Sequence, residues 1–201
     1  MKRRLPVLLC GLAYFALTLS GCTIGQSGLP QPQSQDSPPP GTRSTGSQAA
    51  APAVTHPLDA SAMVGDPCSS LSTADVTALG LSNAKSRPGA GSFGRTGCTW
   101  AGDSGGIVNI NWVTADRNGL SDLYAKSSTI AYWQPTAVGS YPAAYGDSIS
   151  DSRSQGSCVL STAVSNQLYF FAQIDNPVNP GRSCALAATA AADVIKNLGG
   201  A

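Results

Sequence analysis

Four cysteines, Cys68, Cys98, Cys158 and Cys184, restrict what this 201-residue chain can fold into more than any other feature. They fall in a stretch of apolar patterning from Pro67 to Leu198, about 132 residues, enough for one core but small enough to gain from covalent staples. Their spacings lack the CxxC pairs of a zinc or redox site, and no histidine lies among them. In an exported chain such an even set reads as two disulfides, and four cysteines allow three pairings. We favour Cys68 with Cys98 and Cys158 with Cys184, because each pair then joins a helix end to a strand next to it in the chain. The loop-entropy model gives either bridge roughly 3 to 4 kcal/mol and by itself would prefer longer loops, so the choice is topological.

Export is read from the N-terminus. Residues 1–21 have the parts of a lipoprotein signal peptide: Lys2-Arg3-Arg4, an apolar run from Leu5 to Leu19, and small residues leading to Cys22. The run is about 15 residues, short of the roughly 20 that span hydrocarbon. Leu19-Ser20-Gly21-Cys22 resembles the lipobox of bacterial lipoproteins, whose cysteine thiol receives diacylglycerol before cleavage makes it the mature N-terminus. Cys22 is then the lipidation site, Cys10 is discarded with the signal, and two or more acyl chains hold the protein on the extracytoplasmic face of the cell membrane.

Residues 22–66 read as the lipidated cysteine plus a disordered stalk rich in Pro, Ser and Ala. The stretch carries seven of the 14 prolines and no aromatic residue, so it cannot bury enough apolar surface to offset its ordering entropy. As a flexible coil it would span roughly 35 to 40 Å. His56, the sole histidine, is expected to be a solvated residue of this stalk. Residues 67–201 are then a single domain.

Charge and acid content narrow the function. Removing Lys2, Arg3 and Arg4 from 12 basic residues leaves 9 against 11 acidic ones, a net charge of −2, which excludes an electrostatic nucleic-acid binder. Every acid is Asp. With no Glu and no His in the domain, most acid-base and metal chemistry lacks its usual parts, and no cofactor or metal is expected.

The domain reads as α+β, a mostly antiparallel sheet with flanking N- and C-terminal helices. Ser72 is the N-cap of a first helix, with Asp75 as its capping-box partner, Leu71 placed to staple against Val76, and Gly80 at the end. Val108, Ile110 and Trp112 alternate with Asn109 and Asn111, the pattern of a half-buried strand. Asn118 is placed to cap a short helix bearing Leu120, Leu123 and Tyr124, and residues 132–145 follow as strand and turn. Residues 157–164 and 168–174 form a hairpin around Ser165-Asn166-Gln167. A last, Ala-rich helix is expected to be capped by Ser183, to carry Cys184, Ala187, Ala191, Ile195 and Leu198 on one stripe, and to stop at Gly199-Gly200.

These landmarks carry a resemblance. Asp66-Pro67-Cys68 before a capped helix, Gly97-Cys98-Thr99-Trp100 opening a strand, Gly139 to Ala144, the Cys158 strand, and Cys184 opening an Ala-rich helix resemble the actinobacterial lipoprotein family labelled domain of unknown function 3558. The resemblance implies a lipid-anchored α+β envelope module with no general activity. Members also look like extracellular sensor domains of some actinobacterial receptor kinases, which supports a binding role by analogy.

The remaining motifs offer weaker chemical signals. Gly89-Ala90-Gly91-Ser92-Phe93-Gly94 satisfies GxGxxG but has no strand before it or helix after it to present to a pyrophosphate, and reads as a loop whose Arg87 and Arg95 could meet an anionic lipid or glycan. No GxSxG elbow and no general base accompany the many serines. Asp147 and Asp151 could share one strand face and hold a hard cation, but read as solvated loop residues, and Asp103, Asp116 and Asp122 cannot be placed around a cleft. The aromatic residues concentrate in the sheet. If loops leave the face opposite the helices open, Tyr169 and Phe171, with Tyr132 or Trp133, form a binding surface for a glycan, lipid or protein.

The expected role is a non-enzymatic, lipid-anchored binding module for an envelope ligand or protein partner. The alternatives are an accessory subunit of a membrane sensor or transport complex and, behind it, an envelope hydrolase.

Overall fold

The computed structural model describes residues 50–89, 95–176 and 178–200. The signal peptide, Cys22, the stalk up to residue 49 and residues 90–94 of the glycine-rich loop lie outside the described residues.

Seven strands form one antiparallel sheet: β1 (Lys85–Gly89), β2 (Arg95–Ala101), β3 (Ile107–Val113), β4 (Tyr132–Val138), β5 (Tyr141–Asp147), β6 (Ser157–Ala163) and β7 (Tyr169–Asp175), in the order β1-β2-β3-β7-β6-β5-β4. The hairpin of β6 and β7 pairs Cys158 with Ile174, Leu160 with Ala172 and Thr162 with Phe170. Each of these six is buried, because period-two alternation puts them all on one face. Val108, Ile110 and Trp112 of β3 bury on the same face.

That face is covered by α4 (Ser183–Asn197), which packs on β6 and β7. Ala187, Ala190 and Ala191 are fully buried at the contact, with Val194 and Ile195 beside them. Their small side chains let the helix lie close to the large residues of the sheet. The expected Ser183 cap is not formed. Ser183 is the first helical residue, and its buried hydroxyl donates to the Gly156 carbonyl at 2.7 Å, tying the helix to the start of β6. The stop is as expected: Gly199, at φ +82°, donates to Lys196 O and Gly200 donates to Ile195 O, each at 2.9 Å.

Before the sheet in the chain come α1 (Ser61–Gly65), a 3-10 turn at Pro67–Ser70 and α2 (Thr73–Ala78), the last two bonded to Asn197 at the end of α4. The Ser72 hydroxyl accepts from Asp75 N–H while the Asp75 carboxylate accepts from Ser72 N–H, a complete capping box. Both disulfides have the favoured pairing, Cys68 to Cys98 and Cys158 to Cys184.

Three local expectations are corrected. The stalk does not extend to residue 66: Val54, Ala60 and Met63 are buried in the core, and the N–H groups of Val54 and Leu58 donate at 2.9 Å to Asn166 Oδ1 and Val164 O. Few apolar side chains are needed where neighbouring backbone supplies partners, so composition hides the segment. A strand does precede the glycine-rich loop. Every residue of β1 is exposed, and it is held by backbone pairing to β2, which leaves no apolar alternation to read. Asn118 does not cap α3 (Leu120–Tyr124); Gly119 occupies that place at φ +53°, and Asn118 is held from the side by the Asp122 carboxylate.

Candidate functional site

The same alternation that buries one set of side chains under α4 turns the other set to the opposite face. There β2 and β3 present Arg95, Gly97, Thr99, Asn109 and Asn111, while β7 and β6 present Tyr169, Phe171, Gln173, Val159 and Ser161. Gly97 is required here, since a Cβ would collide with the Asn111 side chain and lie 2.8 Å from the Ile110 carbonyl. Thr99 donates its hydroxyl to Asn109 Oδ1, which fixes this polar row.

This face is only partly covered. α3 packs over β6, with Leu120 and Tyr124 buried and Leu123 partly so. Between this cover and the strands lies a cleft of about 270 Å³. Phe171, Val159 and Ser161 line it from the sheet, Leu123 and Ile130 from the covering segment, and Arg95 and Asp147 also line it. Gly146 lets the Trp133 ring pack close on the β5 side, since a Cβ there would sit 2.9 Å from that ring.

The polar groups of the cleft divide into committed and uncommitted ones. The Tyr169 hydroxyl donates to Asp116 Oδ2 at 2.7 Å; burial, reinforced by this carboxylate, pushes its ionisation far above the ordinary phenol range. Gln173 donates to Asp175, and Asp147 Oδ1 accepts the Ile149 N–H at 2.8 Å. Arg95 lies 5.4 Å over the Phe171 ring and forms no ion pair among the described residues. Ser161 is 5% exposed, and its hydroxyl has no hydrogen-bond partner among the described residues.

Of the four aromatic residues expected to form a surface, Tyr169 and Phe171 line the cleft, though Tyr169 is buried and Phe171 has the Arg95 guanidinium over its ring. Trp133 stands behind the floor, edge-on to Tyr124 with ring centroids 4.9 Å apart. Tyr132 belongs to the other face. Its hydroxyl lies 3.8 Å from Cys158 Sγ, and its ring is stacked under Arg153 at 4.1 Å. Adjacent residues of a strand point to opposite faces, so Tyr132 and Trp133 cannot both join one patch. Arg95 was legible as a candidate for anions. Ser161, Leu123 and Ile130 were not singled out, and only the position of Ser161 two residues from Val159 pointed to the shared face.

The carboxylates do not converge. Asp151 is paired with Arg153 through two 2.7 Å contacts, Asp122 with Asn118, Asp116 with Tyr169 and Asp103 with Asn83. His56 is exposed, with Nδ1 3.0 Å from Thr55 Oγ1. Among the described residues no group of three or more His, Cys, Asp or Glu side chains is placed to hold a metal ion, and no helix is long and apolar enough to cross a membrane.

Comparison with known proteins returns one family: the pattern described as "Protein of unknown function (DUF3558)" matches residues 17–197. No curated protein and no solved structure matches significantly.

Proposed function

The chain belongs to the DUF3558 family, and on that premise we propose that it is a lipid-anchored lipoprotein of the actinobacterial cell envelope that works by binding and not by catalysis. Cys22 carries the acyl chains, the polar segment after it spaces the domain from the membrane, and the cleft opposite α4 receives a small envelope ligand. The family match begins at residue 17 and so takes in Leu19-Ser20-Gly21-Cys22, which supports the anchor.

The observation that carries the binding role is the cleft of about 270 Å³, lined by apolar Leu123, Ile130, Val159 and Phe171 and by a cation with no ion-pair partner among the described residues. Ligand sites are concave, mainly apolar and supplied with a few polar groups that set orientation, and this cleft is just below their usual size of about 300 to 1,000 Å³, which suits a small ligand. Its carboxylates are each engaged by a neighbour or stand alone, which favours recognition over acid-base work.

The test is mass spectrometry of the protein isolated from membranes under native conditions, beside a Val159→Trp variant that fills the cleft. The wild-type chain is expected to carry a non-covalent small molecule that the variant lacks; identical spectra from both would refute the binding role. Labelling of growing cells with a fatty acid is expected to mark the wild-type chain and not Cys22→Ala, and an unlabelled wild-type chain would remove the anchor.

A further inference from the structure

We propose that the cleft opposite α4 is a binding site for a fatty carboxylate, whose head is held by Arg95 and Ser161 and whose chain lies against Leu123, Ile130 and Val159. The inference rests on the binding role above and adds the ligand's chemistry to it.

The head-group site follows from two donors in one cleft that no protein acceptor engages among the described residues. Ser161 is 5% exposed, its hydroxyl has no protein partner among the described residues, and the oxygen is not among the fully buried unpartnered atoms, so it is open to the cleft. In register, Ser161 lies directly across from Phe171, over which the Arg95 guanidinium stands at 5.4 Å. A guanidinium and a hydroxyl together offer N–H and O–H donors and no competing acceptor charge, the set that a carboxylate satisfies. Of the other polar side chains that the sheet presents here, Tyr169 is engaged with Asp116 and Gln173 with Asp175.

The rest of the ligand follows from what surrounds these donors. Leu123, Ile130 and Val159 offer hydrocarbon and no polar side-chain atom. A sugar would need a free aromatic face, and that of Phe171 is covered by Arg95. Arg95 is the one cation among the residues that line the cleft, and a carboxylate matches it with a single charge.

The experiment is calorimetric titration of the chain from residue 23 onward, which lacks both the signal and the acyl chains and needs no detergent, with decanoate and with decyltrimethylammonium, both below their micelle concentrations. Decanoate is expected to bind with one equivalent and the cation not at all. Arg95→Gln should weaken decanoate about tenfold or more, and Ser161→Ala several-fold without lowering the melting temperature, since that hydroxyl holds no bond in the folded protein. Arg95→Gln is at an exposed position, and an unchanged melting curve shows that its loss of binding is not loss of fold. Binding of the cation alone would overturn the carboxylate assignment while leaving the cleft a binding site. Binding of neither probe would overturn it too, and the binding role itself would then stand or fall by the molecule that Val159→Trp does or does not displace.

Discussion

The indole Nε1–H of Trp112 donates to the hydroxyl of Ser70 at 3.1 Å, with both residues fully buried. This bond joins the middle of the sheet to the 3-10 turn that carries Cys68, and the Ser70 carbonyl in turn accepts from Asn197 near the end of α4 at 3.1 Å. Three elements distant in sequence meet at one serine.

Ser70→Ala therefore strands a buried N–H. The expected loss is about 1 to 3 kcal/mol, the cost of an unsatisfied buried donor, measured by urea denaturation as a lower midpoint with unchanged slope. Ser70→Thr, which keeps the hydroxyl, should retain the bond only if its extra methyl is accommodated, so Ser70→Cys, smaller in its added bulk and a weak acceptor, is the better graded control and should fall between wild type and Ala.

Asp75 gives the domain a specific acid sensitivity. Burial alone would raise its carboxyl, but hydrogen bonds from Asn197 and Ser72, helped by Lys196, outweigh that and hold it below the usual carboxylate range. A carboxyl depressed in the folded state contributes stability that is present above its unfolded value, near 3.9, and is lost as pH falls through the folded one. Asp193 works the other way: burial and the Asp75 charge raise it, so its protonation relieves strain between the two as pH falls. Asp75→Ala is expected to cost about 1 kcal/mol at neutral pH by removing the capping-box partner, and to lose less stability than wild type below about pH 4. Melting temperature followed from pH 7 to pH 2.5 checks both parts; parallel curves would show that Asp75 contributes no acid dependence.

Much of this fold was legible because its signals are local. Val108, Ile110 and Trp112 alternate with asparagines, and Ser72 with Asp75 states a helix start within four residues. The same parity put Tyr169 and Phe171 on one face. What could not be read depends on neighbours far along the chain. β1 has no buried side chain and exists by pairing with β2, and residues 50–66 are ordered by carbonyl and amide acceptors on the β6–β7 turn. The cleft is likewise non-local: Leu123 and Ile130 reach it from the connection between β3 and β4, which no pattern in β6 or β7 announces.

Thr162 offers a stabilising change. Its hydroxyl oxygen is buried with no hydrogen-bond partner among the described residues, on the face packed by α4 and opposite Phe170. Thr162→Val keeps the branched shape preferred in strands and exchanges a stranded hydroxyl for a methyl. A gain of about 1 kcal/mol is expected, read as a higher urea midpoint and, for a domain of this size, roughly 2 to 4 °C in melting temperature. A loss of stability would mean that the oxygen is solvated in solution.

The start of the folded unit can be fixed by truncation. If residues 50–66 were a tether, a chain beginning at residue 67 would be as stable as one beginning at residue 50. They are instead part of the core: Val54 and Met63 are buried, at 7% and 8% exposure, and Leu58 packs against it. Burying a side chain of this kind is worth roughly 1.5 to 3 kcal/mol, and ordering the extended segment offsets part of the sum. The chain beginning at residue 67 is therefore expected to lose about 3 to 5 kcal/mol, with a steeper loss if the exposed β6–β7 turn also frays. Val54→Ala with Met63→Ala in the full chain should reproduce most of that loss without removing any backbone. Equal urea midpoints for the two truncated chains would return residues 50–66 to the tether.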